Sequence, residues 1–514
     1  MSQTANRVIK NTGYLYMKMA ITMFVSLYTT RLIFNSLGIS DFGIFNIVGG
    51  AIAMLGFLNS AMASATQRFM SFSEGSGDKE KQKSIFNISL VIHFLTAILV
   101  AIALIVAGFF FFNGILNIPA NRVGAAEVVY GSLIISTAFT VMTVPYDAVM
   151  NAHENMRYYA IVGIFESLLK LSVAFACVYT SADKLIVYGI LMACIPLVTL
   201  TIMRVYCHRH YIECVIAPFR FFDKSLAKEM TSFAGWNLTS SAVTMVSSYG
   251  QGLIVNNFFG TIVNAAQGIA SQLNGQLIVF SGNMLKALNP VFGKSAGAGD
   301  IVLLAKSAIK GAKYSAAIYL LFAIPFFFEA PYILRLWLKN VPEWTVVFVR
   351  FQLVKSFIEL QFTTVPSTIS ASGKIKKYTL FSSLSNLMQL PTIYVLFKCG
   401  LPPYYMYIAT IIFGNIIVYI IALHFAKLYC GMPISLYIRK TLLPLYVTLS
   451  IICCLHYVYL QVFSVSNILS LLIYALFAFV SFLLTFGIVG CPKEDRRVFA
   501  VALKKLPVLR KRYS

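Results

Sequence analysis

Runs of apolar residues follow one another from end to end of this 514-residue chain. Each is about 20 residues long, the length a helix needs to cross a bilayer. Fourteen are read, near 12–34, 44–70, 85–112, 126–150, 158–180, 184–206, 231–257, 262–289, 307–336, 344–371, 378–397, 403–427, 438–461 and 466–490. Only short polar turns separate them, and no hydrophilic stretch is long enough for an independent soluble domain. In hydrocarbon every backbone N–H and C=O must be satisfied within the segment, so runs of this length predict helices. The fold class expected is all-α, a polytopic membrane protein of about 14 transmembrane helices. The first run starts late, carries Lys18 and Arg31 and lacks a small-residue cleavage site. It is therefore read as a span and not as a cleavable signal peptide.

The pattern repeats itself. Residues 13–78 align with 235–300 at a constant offset of 222, without a gap. Ala20-Ile21-Thr22-Met23 recurs as Ala242-Val243-Thr244-Met245, Asn35 and Gly38 as Asn257 and Gly260, and Gly75, Gly77 and Asp78 as Gly297, Gly299 and Asp300. About 15 of 66 aligned positions are identical, more than local propensity explains. The offset maps span 1 onto span 7 and span 2 onto span 8. An even number of spans intervenes, so the copies share one orientation and form a parallel repeat of two six-helix halves. The organisation expected is an N-terminal six-helix lobe at 1–206, a cytoplasmic linker at 207–229 and a C-terminal six-helix lobe at 230–430. An appended helix pair at 431–491 and a basic cytoplasmic tail at 492–514 complete it. Membrane proteins of two like halves hold substrate between them and rock one half against the other, so the repeat points to a transporter.

Composition agrees with the span pattern: 59% hydrophobic residues, 11% charged residues and a mean hydropathy of +0.78 exclude a soluble globular chain. The net charge of +23 would suggest nucleic acid, but the charges are distributed by side. About 31 of the 41 Lys and Arg fall on the side of the termini, among them Lys79, Lys81, Lys83, Arg204, Arg209, Arg220, Lys224 and Lys228. Only about five (Arg122, Lys184, Arg335, Lys339, Lys398) fall on the other. This is the positive-inside asymmetry, which places both termini in the cytoplasm and leaves no reason to expect nucleic acid. The tail, with Arg496, Arg497, Lys504, Lys505 and Arg510-Lys511-Arg512, reads either as an interfacial helix on anionic lipid or as a solvated tail.

Metal and nucleotide chemistry find no support. The nine cysteines contain no CxxC, the six histidines are scattered, and Leu288 stands where a phosphate-binding loop ending in Gly293-Lys294-Ser295 needs its first glycine. No cofactor is expected, and a driving force would come from a proton or other cation gradient.

Ionisable groups inside spans cost roughly 2.5–3.5 kcal/mol at a helix centre and each needs a reason. Glu166 with Lys170, and Lys355 with Glu359, are opposite charges at i,i+4. They read either as neutralised structural pairs or as a polar wall for substrate and protons. Lys18, Thr22, Ser26 and Thr29 share a face of span 1, with Arg31 near its external end. Ser240, Thr244, Ser247 and Gln251 share a face of span 7; Gln267, Ser271, Asn274 and Ser281 follow helical spacing on span 8, with Gln272 and Gln276 one position round. Packing through small polar residues accounts for the serines. A water-filled cavity accounts better for the amides, which suit sugar hydroxyls.

Leu37-Gly38-Ile39-Ser40-Asp41-Phe42-Gly43 between spans 1 and 2, Arg68 and the loop after it, and Val144-Pro145-Tyr146-Asp147 with Asn151-Ala152-His153-Glu154 carry a resemblance. Over essentially its whole length the chain resembles the bacterial polysaccharide flippases of the multidrug/oligosaccharidyl-lipid/polysaccharide exporter superfamily. That resemblance implies a V-shaped, two-lobed bundle in the bacterial cytoplasmic (inner) membrane. It implies alternating access that turns a polyprenyl-pyrophosphate-linked oligosaccharide to the outer face for surface polysaccharide biosynthesis (lipopolysaccharide, capsule, O-antigen). Partners would be membrane lipids and the polysaccharide polymerase or chain-length machinery. Lys18, Arg31, Arg350 and Lys355 would then meet the pyrophosphate, Lys170, Gln267 and Asn274 would line the cavity, and Glu166 and Glu359 would couple transport to an ion. The rival is a cation/drug antiporter of the same superfamily, which relies on acidic cavity residues. No enzyme is expected, because His93, His424 and His456 lie on separate helices far apart in sequence.

Overall fold

The computed structural model describes residues 3–53, 56–115, 118–338, 340–492 and 496, and all regular structure among them is helical. The tail beyond 492, apart from Arg496, lies outside the described residues. Nine helices among the described residues are long and apolar enough to cross a membrane. The principal elements are α1 (Gln3–Ala53), α2 (Gly56–Ser76), α3 (Lys79–Phe110), α4 (Val123–Ala152), α5 (Met156–Tyr179), α6 (Lys184–His210) and α7 (Lys224–Gly297). They continue with α8 (Ile301–Phe328), α9 (Thr345–Phe362), α10 (Lys376–Lys398), α11 (Tyr405–Cys430), α12 (Ile434–Val462) and α13 (Ile468–Gly490). Acidic or amide side chains start many of them: Asp78, Asn155, Asp183, Asp223, Asp300 and Asn467 accept backbone N–H groups at the first turns of α3, α5, α6, α7, α8 and α13.

At 1.5 Å per residue, α1 with 51 residues and α7 with 74 are too long for one crossing each. Each is broken once, at a glycine. Gly38 has φ 77°, ψ 173° and Gly260 has φ 78°, ψ −174°. These two glycines are partners under the 222-residue offset, and both occupy a backbone region open essentially to glycine alone. The symmetry continues at the next turn, where Gly77 and Gly299 have φ of 74° and 71°, followed by the capping pair Asp78 and Asp300. The repeat is thus written in backbone conformation as well as in residue identity.

A Cβ at either kink glycine would meet nothing within 4 Å, so the cost of a side chain there is backbone strain alone. Gly38→Ala and Gly260→Ala are each expected to lose about 1–3 kcal/mol of stability, by similar amounts. Thermal unfolding in detergent measures this; an unchanged midpoint in both variants would mean that the breaks are not held by glycine.

The chain forms two compact units. The N-terminal unit comprises 10–241 with 293–299, and the C-terminal unit comprises Met1–Ile9, Ala242–Phe292 and Asp300–Ser514. In the N-terminal unit α4 packs against α6, α3 and α2. Val129 and Tyr130 of α4 are buried, the Tyr130 hydroxyl donates to the Leu104 carbonyl at 2.6 Å, and its ring lies over Gly108. In the C-terminal unit α8 is the hub, packed by α9, by the short helix Thr364–Ser372 and by α12 and α13. The last two helices are joined to that hub by specific contacts. Thr441 donates to the Ile309 carbonyl at 2.8 Å, and His456, hydrogen-bonded to the Tyr474 hydroxyl at 2.8 Å, stacks on Phe328.

Candidate functional site

Each unit carries a charged helix face. In the N-terminal unit, Tyr159, Gly163, Glu166 and Lys170 fall at helical spacing along α5. Lys18 of α1 lies across this face with its Nζ 4.3 Å from the centre of the Tyr159 ring, a cation–π contact. Gly163 makes the slot: a Cβ there would stand 2.1 Å from Lys18 Cε. No carboxylate lies within ion-pair distance of Lys18 among the described residues. Glu166 and Lys170 pair at 2.7 Å and are about 40% exposed, so the pair is open on one side. Arg31 is exposed on α1.

In the C-terminal unit, α9 carries Arg350, Lys355 and Glu359. Lys355 Nζ stands 3.8 Å from Glu359, a looser pair than that on α5. The backbone carbonyl of Lys355 accepts from Asn415 at 2.9 Å, within the wide π-helical turn 410–417 of α11. Arg350 is spent differently from the sequence expectation. Its guanidinium donates to the Phe327 and Phe328 carbonyls at 3.0 and 3.4 Å, closing the C-terminus of α8. Asn274 is also occupied: it is buried and accepts from the equally buried Tyr319 hydroxyl at 2.6 Å.

The polar face of α7 divides. Gln251 donates to Gln389 at 2.6 Å and to Thr410 at 2.8 Å, and Ser247 donates to the Asn386 carbonyl, so these groups lock α7 to α10 and α11. Gln267 is half-buried, whereas Ser271, Gln272 and Gln276 are exposed. The expectation that water accounts for the amides therefore holds for neither Gln251 nor Asn274, because interhelical hydrogen bonding is the cheaper way to satisfy an amide between helices.

Ion networks close the two ends of the N-terminal unit. At the start of α4, Arg122 donates to Asp41 Oδ1 at 2.8 Å and to Asp183 Oδ2 at 2.5 Å, tying the turn within α1 to the first turns of α4 and α6. Its hydrogen bonds hold the Asp183 carboxyl below the usual carboxylate range against the opposing effect of burial. At the other end of α4, His153 pairs with buried Glu213, lies 3.5 Å from Glu74 and stacks on Tyr211 at 4.3 Å. Burial pushes the Glu74 carboxyl up, but Lys79, His153 and Gln82 together bring it below its ordinary value. Nothing in the sequence pattern singles out Arg122, Asp183, Tyr159 or Gly163 for the site, whereas Asp41 and His153 lie in its motifs without a visible partner.

No family model matches the chain, and no curated protein matches it. Solved structures do. An outward-facing multidrug resistance MATE family transporter of the MOP superfamily superposes with a TM-score of 0.71 at 14% identity, over 83% of this chain and 96% of the other. A MATE in the bent conformation gives 0.70 at 16% identity, over 84% and 98%. A MOP superfamily transporter from Pyrococcus furiosus Vc1 (DSM3638), described by the reverse polarity of its binding pocket, gives 0.66 at 15% identity, over 85% and 97%. The chain is a polytopic all-helical membrane protein with the fold of the MATE transporters of the MOP superfamily.

Proposed function

We propose that the protein is a secondary transporter that exports an amphipathic solute by alternating access. The observation that carries this is the fold, a parallel repeat broken at matched glycines that follows solved transporters over more than four-fifths of the chain. For the cargo, the likeness to a multidrug resistance transporter favours a cation or drug exchanged for a proton or sodium ion. The chemistry available for coupling is one glutamate in each unit, Glu166 and Glu359, half-exposed and opposed by a lysine on its own helix. A proton or metal cation arriving at such a carboxylate displaces the lysine and changes the charge of the face by one unit. We read both termini as cytoplasmic from the charge asymmetry of the loops, and the setting as the bacterial inner membrane from the resemblance to the polysaccharide flippases.

A second reading, the flipping of a polyprenyl-pyrophosphate-linked oligosaccharide, is favoured by Lys18. Among the described residues this cation has no carboxylate within ion-pair distance, and it lies on the face that also bears Lys170, an arrangement that offers positive charge to a phosphate. Polysaccharide polymerases would be partners on this reading only.

Proteoliposomes loaded with a cationic dye, or carrying a lipid-linked oligosaccharide, separate the two. On the antiporter reading, ion-driven dye efflux falls roughly tenfold in Glu166→Gln, the scale of a typical coupling free energy, and survives in Lys18→Ala. On the flippase reading, oligosaccharide translocation is lost in Lys18→Ala and in Lys355→Ala. Movement of neither cargo by the unaltered protein would overturn both.

A further inference from the structure

The segment between α6 and α7 is held firmly from behind and bare in front. Asn87, fully buried on α3, donates to the Val215 carbonyl and accepts from the Ala217 N–H, both at 2.8 Å. Glu213 and Cys214 point inward at 1% and 3% exposure, Glu213 on His153. The other side of the same short segment shows Ile212, Ile216 and Phe219 to the outside, Phe219 at 104% exposure. A rigid backbone that aims three large apolar side chains outward is a surface built for contact. Beside them a cavity of about 660 Å³ is lined by Arg204 and Arg209 together with Val205, Val215 and Ile216. Neither arginine forms an ion pair among the described residues.

α6 is one of the helices long and apolar enough to cross a membrane, and it ends at His210, immediately before this segment. The segment therefore sits where hydrocarbon gives way to headgroups. Apolar side chains there enter the acyl boundary, and the guanidinium groups of Arg204 and Arg209 on the last turns of α6 beside them meet phosphate in a planar, two-pronged geometry. We propose that Arg204, Arg209 and the 211–223 segment form a docking site for an anionic phospholipid of the leaflet facing the His210 end of α6. Both features are needed: the arginines select a negative headgroup, and Ile216 with Phe219 seats the glycerol and upper acyl region. The inference rests on the chain spanning a membrane and not on either cargo.

Native mass spectrometry of the full-length protein released from detergent, titrated with phosphatidylglycerol or phosphatidylcholine, tests it. Phosphatidylglycerol is expected to stay bound as a discrete adduct, about thirtyfold more tightly than to Arg204→Gln/Arg209→Gln, from two basic contacts at an anionic surface. Phe219→Ala should weaken it further. Arg439→Gln/Lys440→Gln, which removes two exposed charges elsewhere, should leave it unchanged. Equal retention of phosphatidylcholine, equal retention by the Arg204/Arg209 variant, or equal loss in the Arg439/Lys440 variant would overturn the site. A dimer that Phe219→Ala dissolves, without any lipid adduct, would assign the surface to a second copy instead.

Discussion

Gly75→Ala and Gly297→Ala are each expected to remove most of the correctly folded protein, with a loss of about 3 kcal/mol or more, at the top of the range for overpacking. The end of α2 and the end of α7 cross in backbone-to-backbone contact inside the N-terminal unit. A Cβ on Gly75 would lie 2.1 Å from the Lys294 carbonyl oxygen, and one on Gly297 would lie 1.9 Å from that of Phe72. Gly293 against Ser71 is nearly as close, at 2.4 Å. These contacts map onto one another under the 222-residue offset, which pairs 71 with 293, 72 with 294 and 75 with 297. The crossing is thus a local two-fold between the repeat copies. A flexible side chain can turn away from a new methyl group, but a helical carbonyl cannot, so the two helices must part. Gly77→Ala and Gly299→Ala provide the contrast. They stand in open space with φ of 74° and 71°, and should lose only about 1–2 kcal/mol. The double variant Gly75→Ala/Gly297→Ala should cost less than the sum, since helices parted by the first methyl already accommodate the second. Size-exclusion recovery and thermal unfolding in detergent measure all five. Wild-type behaviour of Gly75→Ala would show that α2 and α7 do not cross at this distance.

Much of the architecture was legible because it is written locally. Apolar length gives the spans, and the positive-φ glycines and capping aspartates recur at a fixed offset. Gly38 and Gly260 stand out as a matched pair in the sequence alone, and both prove to break their helices. The site was less legible because its meaning lies in contacts between distant residues. Nothing near Gly163 announces that it opens a slot for Lys18, on a helix far away in sequence. Arg350 and Lys355 look alike as basic residues of span 10, yet one closes the end of α8 and the other pairs with Glu359. The amides show the same limit: Gln251 and Gln272 differ only in whether a neighbouring helix presents an acceptor. Cargo class is hardest to read, because pairing Lys170 with Glu166 and Lys355 with Glu359 cancels much of the net sign that would separate an anion site from a cation site.

Arg122→Gln should be the most damaging change at the opposite end of the N-terminal unit, with a pH dependence that identifies its cause. The guanidinium, 23% exposed, serves two carboxylates at once. Its removal leaves Asp41 and Asp183 facing each other without a counter-charge. Charge-assisted hydrogen bonds contribute about 1.5–3 kcal/mol, and partial exposure places the expected loss near 2 kcal/mol at neutral pH. Arg122 is the largest cause of the lowered Asp183 pKa, with the Ile186 and Leu185 N–H groups adding to it and burial opposing. A carboxyl whose folded value is depressed contributes stability that is fully present above its unfolded value, near 3.8, and is lost as pH falls through the folded value. The unaltered protein should therefore lose this contribution only in acid. In Arg122→Gln the contribution is already absent, and the repulsion between the two carboxylates fades as they take up protons. The gap in unfolding midpoint between the two proteins should be widest above about pH 5, narrow first as the repulsion fades, and close only as pH falls below 3.8 through the depressed folded value. Asp41→Asn added to Arg122→Gln should recover part of the loss at neutral pH, because it removes the repulsion without restoring the clamp. A gap that stays constant as pH falls from about 7 to well below 3.8 would mean that Arg122 acts through packing of its aliphatic stem and not through its charge.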